Sequence, residues 1–295
     1  MHIERPLVGN VSYGGVGISQ CVSSDHIALT FDDGPYNFTW HLLDVLASYN
    51  AKATFFITGN NLGKGQMDVE ETGYPALIRR MHADGHQIAS HTWTHQNLTE
   101  MSEEHMINQM HYNEMAFRNI LGFFPTYMRP PYSECNSTCQ AIMKKMGYHI
   151  TMYTLVTHGS SVLTSSAFGL LLSYSNMHLR LCSEPDYLYD HPTLIQTAKD
   201  SFVEQMQQAK NLSINTIAIN HDILYQTAYN LTNYMLDYMK FLNYGKSVTV
   251  GECLGDPPEN WYRSAGGAPP AAALVSHRIS CDGVRCTEHV YFRDL

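Results

Sequence analysis

Short runs rich in β-branched and aromatic residues recur along most of the chain, and segments of helical periodicity lie between them. The β-rich runs are His26–Phe31, Lys52–Ile57, His86–Ser90, Thr126–Met128, His149–Leu155, Thr216–Asn220 and Ser247–Val250. Thr39–Tyr49, Tyr74–Ala83, Ser102–Leu121, Ser137–Met146, Thr193–Lys210 and Gln226–Phe241 instead repeat apolar residues at helical spacing. This alternation predicts parallel βα units of seven strands and six helices, closed into a barrel or opened as a doubly wound sheet.

Two stretches break the rhythm. Thr157 to Pro185 is Ser- and Leu-rich without clean periodicity, and loops of that length are uncommon in compact domains. From Ser264 the chain turns Gly/Ala/Pro-rich and then ends in an unpatterned tail. Three of the seven cysteines, Cys182, Cys281 and Cys286, fall in these stretches. Both are expected to be foreign to the fold, as translated intron or shifted-frame sequence would be. The expected organisation is an N-terminal extension over 1–20, a main domain over 21–263 interrupted at 157–185, and a linker and tail over 264–295. The other four cysteines fit the main domain. Cys135 and Cys139 are close enough for a local bridge, and Cys21 and Cys253 flank the patterned region, where a bridge would join its ends. Metal binding by these four is disfavoured, since no CxxC pair occurs.

The charge balance, 18 basic against 27 acidic residues, argues against a nucleic-acid or anionic-membrane partner and suits a neutral or weakly basic ligand. No apolar stretch is long enough to span a bilayer. Six of eighteen asparagines, Asn10, Asn37, Asn97, Asn136, Asn211 and Asn230, stand in N-x-S/T sequons. Chance supplies about two or three at average composition. The excess favours a secreted or cell-wall protein, its signal peptide missing from this chain.

Polar signatures gather where strands stop. Asp32 and Asp33 follow the first strand, His91 to His95 (HTWTH) the third, Arg129-Pro-Pro-Tyr132 the fourth, and Asn220-His221-Asp222 the sixth. In parallel α/β folds these exits share one face, where active sites are built. His91 and His95 have the i, i+4 spacing that aims two imidazoles at one point if the intervening turn is helical. With 16 histidines in the chain such a pair also arises by accident, so a nearby carboxylate matters. Asp32 or Asp33 can supply one, giving a His₂Asp set with open positions. Adjacent aspartates at a strand end project differently, so they are poorly placed to share a proton. An Asx turn or helix cap explains one of them, not both. Pro130-Pro131 stiffens its segment, and Arg129 can pair with a carboxylate or simply face solvent. His221 is a candidate general acid or a core histidine.

Taken in order, TFDDGP, HTWTH, RPPY and IAINH resemble the motifs of the polysaccharide deacetylases, the NodB-like domain of carbohydrate esterase family 4. The likeness runs from about His26 to Arg263, and GECLGDPPENWYR with the cysteine placements looks most like secreted fungal chitin deacetylases. The resemblance implies a distorted (β/α) barrel of about seven parallel strands. It also implies metal-dependent removal of acetyl groups from N-acetylglucosamine units of chitin or chitooligosaccharides. Asp33, His91 and His95 are then ligands of a divalent metal, usually Zn²⁺, with Co²⁺ or another metal as alternatives. Asp32 is the general base acting on metal-held water, and Arg129 orients it. Tyr132 offers its backbone N–H to the oxyanion, and His221 protonates the leaving amine. Trp93, Tyr132 and Tyr187 are candidate sugar-stacking faces, and a monomer is expected.

One motif departs from the family pattern. An acidic D-x-x-D motif with an aromatic belongs after the fifth strand, but Val156 stands where its first Asp belongs. Asp186-Tyr187 reads as its end, displaced by 157–185, which leaves Asp186 as the candidate support for His221. Two other readings follow: a deacetylase of peptidoglycan sugars or acetylxylan, and an inactive carbohydrate-binding homologue. Sequencing transcript and genomic DNA across the junctions at 157, 185 and 264 should show discontinuous coding; continuous coding would refute a foreign origin.

Overall fold

The computed structural model describes residues 4–22, 26–156 and 190–264, together with the backbone of two strands at 276–281 and 286–291. Asp186, Tyr187 and the 157–185 segment lie outside the described residues.

The central strand, β1 (Ile27–Asp32), is buried along its whole length. It pairs in parallel with β2 (Thr54–Ile57) on one side and β8 (Thr216–His221) on the other. The sheet continues through β3 (Gln87–Ser90), β5 (Tyr127–Met128) and β6 (His149–Ile150) beyond β2, and through β7 (Leu155–Val156) beyond β8. A short β9 (Ser247–Val248) pairs with the start of β1. Every pairing in this sheet is parallel, as the βα alternation predicts.

The run at 149–155 is not one strand, as its composition suggests. It contains β6 at one edge of the sheet and β7 at the other, joined by residues 151–154. Five residues span at most about 18 Å, whereas six strand spacings in a flat sheet would need about 29 Å. The sheet therefore curls until its edges approach. Ile18 pairs with Thr151 and Gln20 with Thr216, so the N-terminal segment bridges the gap. Among the described residues β6 and β7 are not paired with each other, which is the distortion of the barrel. Period-2 patterning cannot show this, because a change of partner leaves side-chain alternation intact.

The helices α1 (Thr39–Ser48), α2 (Tyr74–Ala83), α3 (Glu103–Leu121), α4 (Ser137–Lys145), α5 (Ile195–Asn211) and α6 (Thr232–Phe241) match the six periodic segments. A π-helical turn at Thr227–Leu231 precedes α6. Their apolar faces bury Leu42, Leu46, Leu77, Met81, Phe117 and Met235, among others, against the sheet. Each fully buried large side chain contributes roughly 1.5–3 kcal/mol. A second cluster, including Met110, Met128, Met143 and Ile150, fills the space under α3 and α4.

The segment after β9 closes the end of the sheet opposite the strand exits. Its short helix α7 (Val250–Cys253) starts at a capping box of Thr249 and Glu252. Thr54 Oγ1 and Gln87 Oε1 accept from the N–H groups of Val250 and Gly251. The Trp261 ring rests on Gly251, where a Cβ would fall 2.1 Å from the indole nitrogen. An antiparallel pair not evident from the sequence, β4 (Phe123–Pro125) with β10 (Tyr262–Ser264), completes this layer. The strands 276–281 and 286–291 form a separate hairpin in the stretch read as unpatterned tail.

Both expected disulfides are present, Cys21–Cys253 and Cys135–Cys139. The first spans a sequence separation of 232 and joins the N-terminal segment to α7. Replacing Cys21 and Cys253 together by Ala should lower the unfolding free energy by about 2–5 kcal/mol. Urea denaturation measures this, and an unchanged midpoint would show that the bridge does not constrain the unfolded chain.

Candidate active site

Asp32 is the last residue of β1, and its register partner across the parallel ladder is His221, the last residue of β8. Asp33 follows with a left-handed backbone, φ +74. Neither caps α1, whose N-cap is Phe38; the capping alternative therefore fails for both aspartates.

Arg129 enters from the end of β5 and is completely buried. Its Nη1 donates to Asp32 Oδ1 at 2.6 Å and to Thr30 Oγ1 at 2.8 Å. Nε and Nη2 donate to the carbonyls of Thr151 and Met152, and the guanidinium lies over the Phe56 ring at 4.1 Å. Burial pushes the Asp32 carboxyl above its ordinary value, against the opposing charges of Arg129 and His221.

His91 Nε2 lies 3.6 Å and His95 Nε2 3.2 Å from Asp33 Oδ1, and His91 Nε2 is also 3.7 Å from Asp32 Oδ2. One donor atom from each of the three residues falls within 4.8 Å of the others. The imidazoles do not converge along a helical turn, as their spacing suggests. Residues 91–95 form an irregular loop with positive φ at Thr92 (+69) and His95 (+56), and Thr92 Oγ1 accepts from the His95 N–H. A β-branched residue at positive φ is a conformational outlier.

This donor set fits a divalent cation. The Arg129 carbonyl lies 2.7 Å from His91 Nδ1, so the proton belongs on Nδ1 and the Nε2 lone pair faces Asp33. Burial, reinforced by His95, pushes the His91 imidazole down to about 3, so it stays neutral as a ligand must. Two imidazoles and one carboxylate are the composition of a hydrolytic zinc site with open positions.

These groups line a cleft of about 950 Å³. Tyr132 stands at its edge with φ +58, 61% exposed, its ring 4.8 Å from that of His95. Ser133 Oγ and the Tyr153 hydroxyl, 2.9 Å apart, form part of the wall. Trp93 is set apart from this cleft: its ring covers Gly59 and faces a separate small hollow beside Tyr112. A slightly larger hollow, about 1030 Å³, lies between α3 and α4 and contains none of the motif residues. Chemistry, not size, distinguishes the active cleft.

Several residues at the site have no role assigned to them by the sequence. Asp222 is buried behind the cleft, with its Oδ2 accepting from Thr39 Oγ1 at 2.6 Å. It presses on Gly34, where a Cβ would fall 1.9 Å from that oxygen. Lys64 donates to the carbonyls of Asp33 and Gly34. Burial lowers Lys64 to about 8 and raises Asp222 to about 6, and each charge partly offsets the other's shift. Asn97 and Glu134 tie two cleft loops through Asn97 Nδ2 and Glu134 Oε2 at 2.6 Å. Asp222 was visible beside His221; Lys64, in a glycine-rich loop, carries no signal at all.

Because Arg129 and Asp32 are both buried, removing one strands the other's charge. Arg129→Met should destabilise the metal-free protein by about 3–5 kcal/mol, and Asp32→Asn in the same background should recover part of the loss. Strictly additive effects in a denaturation double-mutant cycle would contradict that coupling.

Comparison with known proteins agrees with this geometry. The polysaccharide deacetylase family model matches residues 19–151. A chitin deacetylase of Colletotrichum lindemuthianum is 37% identical over 251 residues, covering 85% of this chain and 88% of that protein. One from a Pestalotiopsis species is 34% identical, covering 85% of this chain and 71% of its own length. The solved structure of the Colletotrichum lindemuthianum chitin deacetylase superposes with a TM-score of 0.72, covering 86% of this chain and 97% of that one. With this identity sustained over most of both chains, and the motif residues gathered at one cleft, the chain belongs to the polysaccharide deacetylase family.

Proposed function

We propose that this protein is a metal-dependent N-deacetylase that hydrolyses the acetamide of N-acetylglucosamine units in chitin or chitooligosaccharides, releasing acetate. The observation that carries the reading is the convergence of Asp33, His91 and His95 beside a second aspartate held by Arg129. The names of the similar proteins support the substrate. A neutral polysaccharide also suits a chain of net charge −9.

Asp33, His91 and His95 would hold the cation, Zn²⁺ in this reading, with Co²⁺ an alternative. When bound, it supplies Lewis-acid polarisation of the acetyl carbonyl and a more acidic water. Asp32 takes the proton of the attacking water, its carboxylate fixed by Arg129. The Tyr132 backbone N–H donates to the oxygen that gains charge. His221, across the strand from Asp32, gives a proton to the departing amine, which leaves poorly without one.

The setting is read as extracellular or cell-wall. Two disulfides favour an oxidising compartment. Asn10, Asn37, Asn136, Asn211 and Asn230 are exposed, whereas Asn97 is half-buried and engaged with Glu134. No helix among the described residues is long and apolar enough to cross a membrane. The protein acts as a monomer in this reading.

One observation favours an impaired enzyme. Val156 pairs with Ile219, two positions before His221, so an apolar residue stands where the family pattern supplies a carboxylate. Asp186, as the displaced support of His221, and Tyr187, as a sugar-stacking face, remain part of the proposal.

Acetate release from a chitin oligomer with added zinc should be detectable in the full chain and should rise after deletion of 157–185. No release from either form would favour an inactive carbohydrate-binding homologue. Asp32→Asn should lower kcat by about 10²–10⁴-fold and keep zinc, whereas His91→Ala should lose zinc. Equal metal loss in both variants would refute the division of roles.

A further inference from the structure

Lys64 belongs to none of the motifs, yet its ammonium reaches the backbone of the first one. Nζ donates to the carbonyl of Asp33 at 2.7 Å, to that of Gly34 at 2.7 Å and to Thr58 Oγ1 at 2.8 Å. An ammonium has three protons, and these acceptors use all of them. Thr58 in turn donates its hydroxyl to the Asp33 carbonyl at 2.7 Å, and its N–H to the Gly34 carbonyl at 3.2 Å. Two successive carbonyls therefore converge on one cation, and Thr58 supplies a second donor to each, its hydroxyl to Asp33 and its N–H to Gly34.

That convergence requires an unusual backbone. Asp33 has φ +74, a conformation an L-residue adopts at a cost unless its surroundings impose it. The left-handed turn is also what carries the Asp33 carboxylate toward His91 and His95. Asp222 also packs on Gly34 of this loop and is anchored by Thr39. The loop is thus contacted by both a carboxylate and an ammonium, and Asp33 lines the cleft.

We infer that Lys64 is a positioning residue for the metal centre, holding the Asp33 backbone in the left-handed turn that presents its carboxylate as a ligand. The inference rests on the metal-dependent reading above. Groups that orient first ligands typically account for about 10–100-fold in metal affinity. Asp33 itself stays in place when Lys64 is removed, so the expected defect is weaker binding, not its abolition.

The test is calorimetric titration of zinc into chelator-stripped protein. Lys64→Met, which keeps the length of the side chain, should weaken zinc binding by about 10–100-fold. Its kcat should return toward wild type at saturating zinc, with KM for a chitin oligomer within about twofold, because Lys64 lines no sugar site. Thr58→Val removes one acceptor of Nζ and one donor to Asp33, so it should show a smaller loss. Circular dichroism melts of the zinc-free proteins separate positioning from collapse. Should Lys64→Met fail to fold, Thr58→Val decides: weaker zinc binding at an unchanged melting temperature supports the inference, and unchanged binding overturns it. Lys64→Met that folds and binds zinc as tightly as wild type also overturns it. Wild-type protein that binds no zinc would instead defeat the metal-dependent reading and, with it, this inference.

Discussion

The buried pair of Arg129 and Asp32 is the constraint on which site and scaffold both depend. Taking two charges out of water is expensive, and their attraction offsets the penalty only when the remaining donors find partners. Arg129 meets that condition by drawing its partners from different parts of the curled sheet. Thr30 and Asp32 come from β1, the Thr151 and Met152 carbonyls from the segment that joins the two sheet edges, and Phe56 from β2. A flat sheet could not bring β5, β1 and residues 151–152 to one guanidinium. The ion pair thus needs the curl, and the four hydrogen bonds help to hold it.

Around this fixed point the ligand loops carry backbone strain. Asp33, Thr92, His95 and Tyr132 all have positive φ, and all lie at or beside the cleft. Such residues cost about 1–3 kcal/mol each and persist where neighbours over-determine them. Here the neighbours can be named. Thr58 and Lys64 hold Asp33, Thr92 Oγ1 holds His95, and the prolines preceding Tyr132 restrict its approach. The sheet supplies the rigidity from which these short loops aim their side chains.

How much of this was legible follows from the range of each interaction. Strand exits were readable because β1, β3 and β8 are short apolar runs with polar residues directly after them, and parallel topology places those residues on one face. The pairings Cys21–Cys253 and Cys135–Cys139 were readable from position. The division of 149–155 was not, because β6 and β7 share composition and differ only in partner. β4 and β10 are too short to register and exist only through each other. The imidazoles of His91 and His95 converge as expected but by an irregular loop, since spacing reports distance along the chain and not its path. Lys64 was invisible for a plainer reason: a lysine between glycines reads as solvent-facing, and only the carbonyls of a loop about thirty residues away make it otherwise.

The register of β1 against β8 fixes one of the two aspartates opposite a histidine. Asp32 and His221 are partners across adjacent parallel strands, so their spacing is set by backbone hydrogen bonds and not by flexible loops. Asp32 is buried against a permanent cation, while His221 is half-exposed to the cleft. In the mechanism proposed above these two environments hold the base and the acid respectively. Asp33 stands outside that pair. Its Oδ1 lies 3.2 Å from His95 Nε2 and 3.6 Å from His91 Nε2, while Asp32 Oδ1 is taken by Arg129. The side-by-side carboxylates at the end of β1 are tolerable because the Arg129 guanidinium compensates Asp32, while in the metal-dependent function proposed above a cation held by Asp33, His91 and His95 would compensate Asp33.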